Sequence, residues 1–248
     1  MTALSVNLNK FALLRNSREN DSPNIINLAR RCIKAGANGI TVHPRPDQRH
    51  TKYQDVYDLA ALIKNFPTIE FNVEGNPIDS FLKLVKQTRP NQCTLVPDSP
   101  NQLTSNHGWD LRQNTERLKP IVNDLQELGI RVSIFLDPDP HQINLAQSLG
   151  TDRIELYTET FANSFGKDSQ ENILHQYRKT SIQAQELGLG VNAGHDLNLN
   201  NLGLFLTIPK ILEVSIGHAI AVDSIDNGFE VTLNKYLEII QTSRLKIY

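Results

Sequence analysis

Strand-like and helix-like segments alternate along the chain without a lapse, and this alternation limits the fold more than any single motif does. A short apolar segment of four to seven residues, followed by an amphipathic stretch of helical period, repeated many times, requires parallel strands joined by helical crossovers. The strand-like segments are LSVNLN (4–9), GITVH (39–43), EFNVEG (70–75), QCTLVP (92–97), RVSIFLD (131–137), RIELYT (153–158), GVNAGH (190–195) and LEVSIGH (212–218). Between them lie PNIINLARRCIKAG, DVYDLAALIKNF, DSFLKLVKQT, TERLKPIVNDLQELG, HQINLAQSLG, SQENILHQYRKTSIQAQELG, LNNLGLFLTI and a closing helix. In the first of these, Ile25, Leu28, Ala29, Cys32 and Ile33 share one face. Gly36, Gly129, Gly150 and Gly188 follow helical patterns as C-caps, where the chain turns back toward a strand. Eight such units in 248 residues predict one (β/α)8 TIM barrel, a single domain over residues 1–248. A doubly wound open sheet would use fewer strands and carry a phosphate fingerprint after the first, which is absent.

Bulk properties exclude some functions. The net charge is -2 and no basic block or arginine stripe stands out, which argues against a nucleic-acid partner. The longest apolar runs are strand-sized and the chain opens directly into LSVNLNK, so no membrane span and a cytoplasmic protein are expected. Cys32 and Cys93 have no CxxC or His-Cys spacing that would suggest zinc, and both read as reduced, buried residues.

In a barrel of this type the active site lies at the carboxyl ends of the strands. The first strand brings Asn7, Asn9 and Lys10 there, the second His43 and Arg45, and the third Asn72 and Glu74. The loop after the fourth offers Thr104, Ser105 and His107. The fifth strand ends at Asp137, the sixth carries Glu155, the seventh ends in Asn192 and His195, and the eighth in Gly217 and His218. His141 and His175 fall in helical patterns and are expected to face solvent. Glu155, in the middle of RIELYTE, is notable because a buried unpaired carboxylate costs several kcal/mol or takes up a proton. It either pairs with an arginine across the sheet or works in the chemistry. His43 and His195 with Glu74 and Glu155 form a proton-transfer set. The same groups could hold a metal, although no His-x-His stands on the first strand and no second acidic cluster follows. SIGHAI opens a helix directly from the eighth strand, which suits an anion, and Lys10, Arg18 and Arg45 add positive charge, with Arg15 and Arg49 in reserve.

VNLNKFALLRNSR, GITVHPRPDQRH, LVPDSPNQLTSNHGWD, RIELYTE, LGLGVNAGH and EVSIGHAI, in that order on successive strands, make the chain resemble the pyridoxine 5′-phosphate synthases of vitamin B6 biosynthesis. The resemblance runs nearly end to end. It implies a (β/α)8 barrel without metal or organic cofactor that condenses 1-deoxy-D-xylulose 5-phosphate with 3-amino-2-oxopropyl phosphate. The products are pyridoxine 5′-phosphate, inorganic phosphate and water. By the same resemblance His43 and Glu74 match proton acceptors, His195 a proton donor, and Glu155 a carboxylate that stabilises a charged intermediate. Asn7, Arg18, Gly217 and His218 match positions that hold the amino ketone phosphate. Arg45, His50 and Thr104 match those that hold the pentulose phosphate, and the loop bearing Thr104 closes over bound substrate in that family. A homo-octamer is implied, with Arg18 reaching a neighbouring subunit's site. Leu202, Leu204, Phe205 and Leu206 are compatible with assembly or with ordinary burial.

The chain departs from the family pattern at two places. Asn9-Lys10 stands where Asp-His is familiar, and Asp196 follows His195 where Gly is frequent. Asn9, Lys10 and Asp196 are still expected to contact substrate, the last through its backbone N–H with its carboxylate turned away. Two other functions fit the same fold: a metal-dependent aldolase or isomerase of sugar phosphates, and a non-catalytic phosphate-binding barrel.

Overall fold

The computed structural model describes residues 2–99, 102 and 104–245. Among these, strands β1 (Ala3–Asn7), β2 (Gly39–Val42), β3 (Glu70–Gly75), β4 (Gln92–Leu95), β5 (Arg131–Leu136), β6 (Arg153–Tyr157), β7 (Gly190–Gly194) and β8 (Ile211–Ile216) are all parallel. They form a closed barrel in chain order, β8 pairing back to β1 with Val214 beside Leu4. The TIM barrel expected from the alternation is therefore the observed fold. The helices are α1 (Asn9–Asn16), α2 (Ile25–Ala35), α3 (Tyr53–Ile63), α4 (Asp79–Thr88), α5 (Leu111–Glu127), α6 (Pro140–Leu149), α7 (Glu159–Ser164), α8 (Gln170–Glu186), α9 (Leu202–Phe205), α10 (His218–Asn227) and α11 (Phe229–Leu245). No helix is long and apolar enough to cross a membrane among the described residues.

Local chemistry sets the element ends. The side chain of Asn24 accepts the N–H of Asn27 at 2.8 Å and starts α2, and Gly36, at φ 102°, ends it. Pro140 opens α6 behind the cap Asp139, whose carboxylate accepts from His141 N at 2.9 Å. Gly129, Gly150 and Gly188 also have the left-handed backbone expected of them.

Each strand sorts its residues onto two faces. One alternate set, including Leu4, Val6, Ile40, Val42, Phe71, Val73, Ile134, Ile154, Leu156 and Val214, packs with the helices in the main apolar core. A fully buried Leu, Ile or Val of this kind contributes roughly 1.5–3 kcal/mol. The other set faces the lumen and is almost entirely polar or small: Ser5, Thr41, Asn72, Gln92, Thr94, Ser133, Glu155, Asn192, Glu213 and Ser215 are all buried there. The core is thus the ring between barrel and helices, and the barrel axis is filled by hydrogen-bonding groups.

Leu202 and Phe205 are fully buried and Leu206 is 4% exposed, so they belong to this core rather than to an outer face. Cys32 and Cys93 are free and buried, and burial pushes the Cys32 thiol up to about 12. His141 and His175 are exposed, as their helical positions implied.

Candidate active site

The lumen residues form a continuous ladder. At its floor Arg131 Nε donates to Gln92 Oε1 at 3.0 Å, Gln92 Nε2 donates to Glu213 Oε1 at 3.3 Å, and Asn192 Nδ2 donates to the same Gln92 oxygen at 3.2 Å. Arg153 reaches Asn192 at 3.1 Å and Glu213 at 3.6 Å. The arginine that might have neutralised Glu155 is therefore spent on Glu213 and Asn192. Glu155 instead meets the Thr94 hydroxyl at 3.3 Å. Thr94 has one hydrogen and also lies 3.1 Å from Asn72 Oδ1. If it donates to the amide oxygen, a protonated Glu155 completes the pattern by donating to Thr94. Burial, followed by the charge of Glu213, pushes the Glu155 carboxyl above its usual range in the same direction.

Glu74 stands at the top of the ladder. Asn72 and Asn7 donate to its two oxygens at 3.4 Å each, and Ser215 donates at 3.5 Å. These bonds are long, and burial followed by the charges of Glu155 and Glu213 holds the Glu74 carboxyl well above the ordinary range. Gly194 belongs to the same construction: a Cβ there would fall on Glu155 Oε1, so only glycine lets β7 pass this carboxylate.

Above the ladder opens a cavity of about 340 Å³, lined by Asn7, Asn9, Lys10, His43, Arg45, His50, Glu74, Thr104, Glu155, His195, Asp196, Gly217 and His218. Thus the residues expected to transfer protons or to bind substrate, Arg18 excepted, all line one space. Arg18 lies exposed beyond the end of α1 and contributes nothing to this wall. Asn72 and Asn192, expected at the rim, are deeper in the lumen. Asp137 and His107 do not line the cavity either; Asp137 accepts from Gly108 N at 3.2 Å and so ties the fourth loop to β5. Arg15 makes a bidentate pair with Asp55 at 2.6 and 2.8 Å and does not line the cavity. Arg49 pairs with Asp47 at 2.5 Å.

His43 is buried where β2 ends. Burial first, then the positive charges of Arg45 and His50, keep its imidazole well below the usual range, so it is neutral and able to take a proton. Asn9 Oδ1 accepts from His43 N at 2.9 Å and from the Thr51 hydroxyl at 2.8 Å. The Asn that replaces Asp thus keeps the acceptor oxygen that braces the second loop. His50, held down to about 4 by burial and then by Arg45 and Lys10, faces His43 with ring centroids 6.1 Å apart. His195 lies opposite, half-buried, its ring 5.1 Å from that of Tyr157 and its Nε2 3.0 Å from Thr104 Oγ1. The Asp196 carboxylate lies 2.5 Å from His195 Nδ1.

Arg45 is engaged by Asp98 in a buried ion pair and by the carbonyl of Gln102. Asp98 also accepts from Ser105 Oγ at 2.8 Å, so one carboxylate joins the second loop to the fourth. The fourth loop is anchored at its far end by Trp109, whose Nε1 donates to Leu95 O at 2.9 Å. Pro100, Asn101 and Leu103 of that loop lie outside the described residues. Gly217 and His218 begin α10 at the cavity wall, which brings its first N–H groups toward an anion position. Sequence reading missed Asp98, Glu159, Ser215 and Glu213. For the last two the signal was available, because strict alternation puts Glu213 and Ser215 on the same face as Gly217.

Among the described residues no group of three or more His, Cys, Asp or Glu side chains is arranged to hold a metal ion.

Comparison with known proteins adds to this geometry. The family described as pyridoxal phosphate biosynthesis protein PdxJ matches residues 4–242. A curated relative from Albidiferax ferrireducens, named pyridoxine 5′-phosphate synthase, is 47% identical over 249 aligned residues, covering 98% of this chain and 99% of its own. One of the same name from Porphyromonas gingivalis is 50% identical over 237 residues, covering 95% and 98%. Among solved structures, KGPDC from Streptococcus mutans superposes with a TM-score of 0.63 at 13% identity, covering 98% of both chains, a likeness of fold alone.

Proposed function

Since the chain belongs to the PdxJ family of pyridoxal phosphate biosynthesis proteins, we propose how its cavity divides the work of making pyridoxine 5′-phosphate. The chain is an enzyme, a pyridoxine 5′-phosphate synthase. It joins 1-deoxy-D-xylulose 5-phosphate to 3-amino-2-oxopropyl phosphate and releases phosphate and water. The observation that carries the assignment of roles is the meeting, around one cavity, of a buried His43 whose imidazole is held low, two carboxyls held high, the basic side chains of Lys10 and Arg45, and the start of α10.

Arg45, His50 and Thr104 take the pentulose phosphate on the loop side. Asn7, Gly217 and His218 take the amino ketone phosphate at the start of α10, and Lys10 adds positive charge to the same cavity. The amine adds to the ketone to give a carbinolamine and then an imine, and ring closure needs repeated proton removal and dehydration. His43 and Glu74 accept protons, each worth about 10²–10⁴-fold. His195 protonates departing hydroxyl groups. Glu155, once ionised, faces the cationic imine and stabilises it. No metal or organic cofactor enters this scheme.

The homo-octamer belongs to the same proposal. Leu13 and Leu14 on α1, 43% and 61% exposed, stand beside Arg18, and α1 packs on α10, which exposes Val222 and Ile225. Burial of that apolar face against a second copy would carry Arg18 to a neighbouring site.

The test is an assay of the purified protein with both substrates and a chelator, following pyridoxine 5′-phosphate by absorbance and mass. Product is expected in the presence of chelator. A folded protein that binds either phosphate yet forms none would overturn the assignment.

A further inference from the structure

The turn after β7 has an unusual backbone. His195 and Asp196 are consecutive non-glycine residues with φ of 76° and 52°. Left-handed backbone is uncommon outside glycine and best tolerated by Asp, Asn and His. The turn is tied down at both carbonyls. The Thr158 hydroxyl and Leu197 N donate to His195 O, the latter at 2.7 Å, and Asn201 Nδ2 donates to Asp196 O at 3.1 Å. This folding brings Asp196 Oδ2 to 2.5 Å from His195 Nδ1, while Nε2 points to Thr104 and the cavity.

We infer that Asp196 is a positioning residue for His195: its carboxylate accepts the Nδ1 proton, which presents Nε2 to substrate. The inference rests on the proposed role of His195 as proton donor. It also gives the Asp of this chain a use that a glycine at the same place cannot supply. The other titratable groups around the ring are Glu155 and Tyr157 on β6, Glu159 on α7, Asp137 beyond β5, Lys10 on α1 and His218 on α10. Lys10 and His218 oppose an imidazolium, and Asp196 is the carboxylate in hydrogen-bond contact with it. Burial raises the Asp196 carboxyl, but the bond to His195 and the charges of His195 and His218 outweigh this and keep it ionised below the usual range.

A carboxylate that accepts from Nδ1 fixes the ring's orientation and leaves Nε2 as the nitrogen that faces the cavity. Asp196→Asn keeps an oxygen that can accept from Nδ1 and removes the charge; Asp196→Gly removes both. Both residues adopt left-handed backbone, so both variants should fold.

The experiment reads the His195 tautomer by NMR in full-length protein labelled with ¹³C and ¹⁵N at histidine, without substrate, and in parallel kcat. Wild type and Asp196→Asn are expected to hold the neutral ring with its proton on Nδ1. Asp196→Gly is expected to show a mixture of tautomers and a larger loss of kcat than Asp196→Asn. A single Nδ1-protonated tautomer in Asp196→Gly, folded by circular dichroism, overturns the inference. Because the tautomer is read without turnover, a mixture in an Asp196→Gly protein whose parent forms no pyridoxine 5′-phosphate would uphold the pair and fault the reaction instead.

Discussion

Glu74 combines a strong appetite for protons with weak holding bonds, none shorter than 3.4 Å. Such a group can give up and regain a proton without breaking its surroundings. Replacing it by Gln keeps the shape and removes the base. Glu74→Gln is therefore expected to lower kcat by at least about 10²-fold while phosphate-ligand affinity stays within about tenfold. Steady-state kinetics and calorimetry of the same preparation check this, and wild-type turnover would remove Glu74 from the mechanism. Both possibilities that RIELYTE left open for Glu155 can be compared with the outcome. The segment does contain the arginine of an ion pair, but its partner is Glu213, because Arg153 lies two residues below Glu155 on the same face.

Elements place these residues, and most elements were readable. The eight strands follow from the short apolar segments that alternate with helical stretches, and the C-cap glycines mark where helices stop. What escaped was short. Helix α1 buries Phe11, Ala12 and Arg15 over eight residues, too few for a periodic signal, and its first turn carries Asn9 and Lys10. Helix α7 is six residues long, and the closing helix is divided at Gly228 into α10 and α11. At the site, sequence located the rim but not the links between loops. Nothing in LVPDSP says that Asp98 will meet Arg45, since that contact joins residues 53 positions apart. Strand β7 offers the sharpest test at this scale. Gly194→Ala puts a methyl where Glu155 Oε1 sits, so Glu155 must move while the strand register persists. The expected result is a folded protein whose kcat is reduced by about 10²-fold or more, since misplacement by about 1 Å can cost that much. Native circular dichroism with full activity would show that Glu155 tolerates the shift.

For the molecule as a whole, buried groups in the lumen and at the cavity make stability depend on pH in two opposed ways. Burial raises Glu213 to about 7, so the folded state binds this proton more tightly than the unfolded chain. Its contribution is fully present below the ordinary carboxylate range and is lost as pH rises through about 7. His50, depressed to about 4, contributes stability above the ordinary imidazole range that is lost as pH falls through about 4. Glu213→Gln removes the first effect. Thermal unfolding should show this variant gaining about 1–3 kcal/mol on wild type between pH 5 and pH 8. An equal difference at both pH values would show that Glu213 does not titrate in that window.

The polar barrel axis also bears on how the chain finds its pairing. A one-residue slip of any strand exchanges its two faces. In a barrel greasy on both sides such an error would be cheap. Here a slipped β6 would drive Arg153 and Glu155 into the helix layer and turn Ile154 and Leu156 toward Gln92 and Thr94, stranding charges and breaking the ladder at several rungs. The hydrogen-bonded axis thus acts as a proofreading device during assembly, rejecting misaligned strands before the carboxylates it carries are ever used.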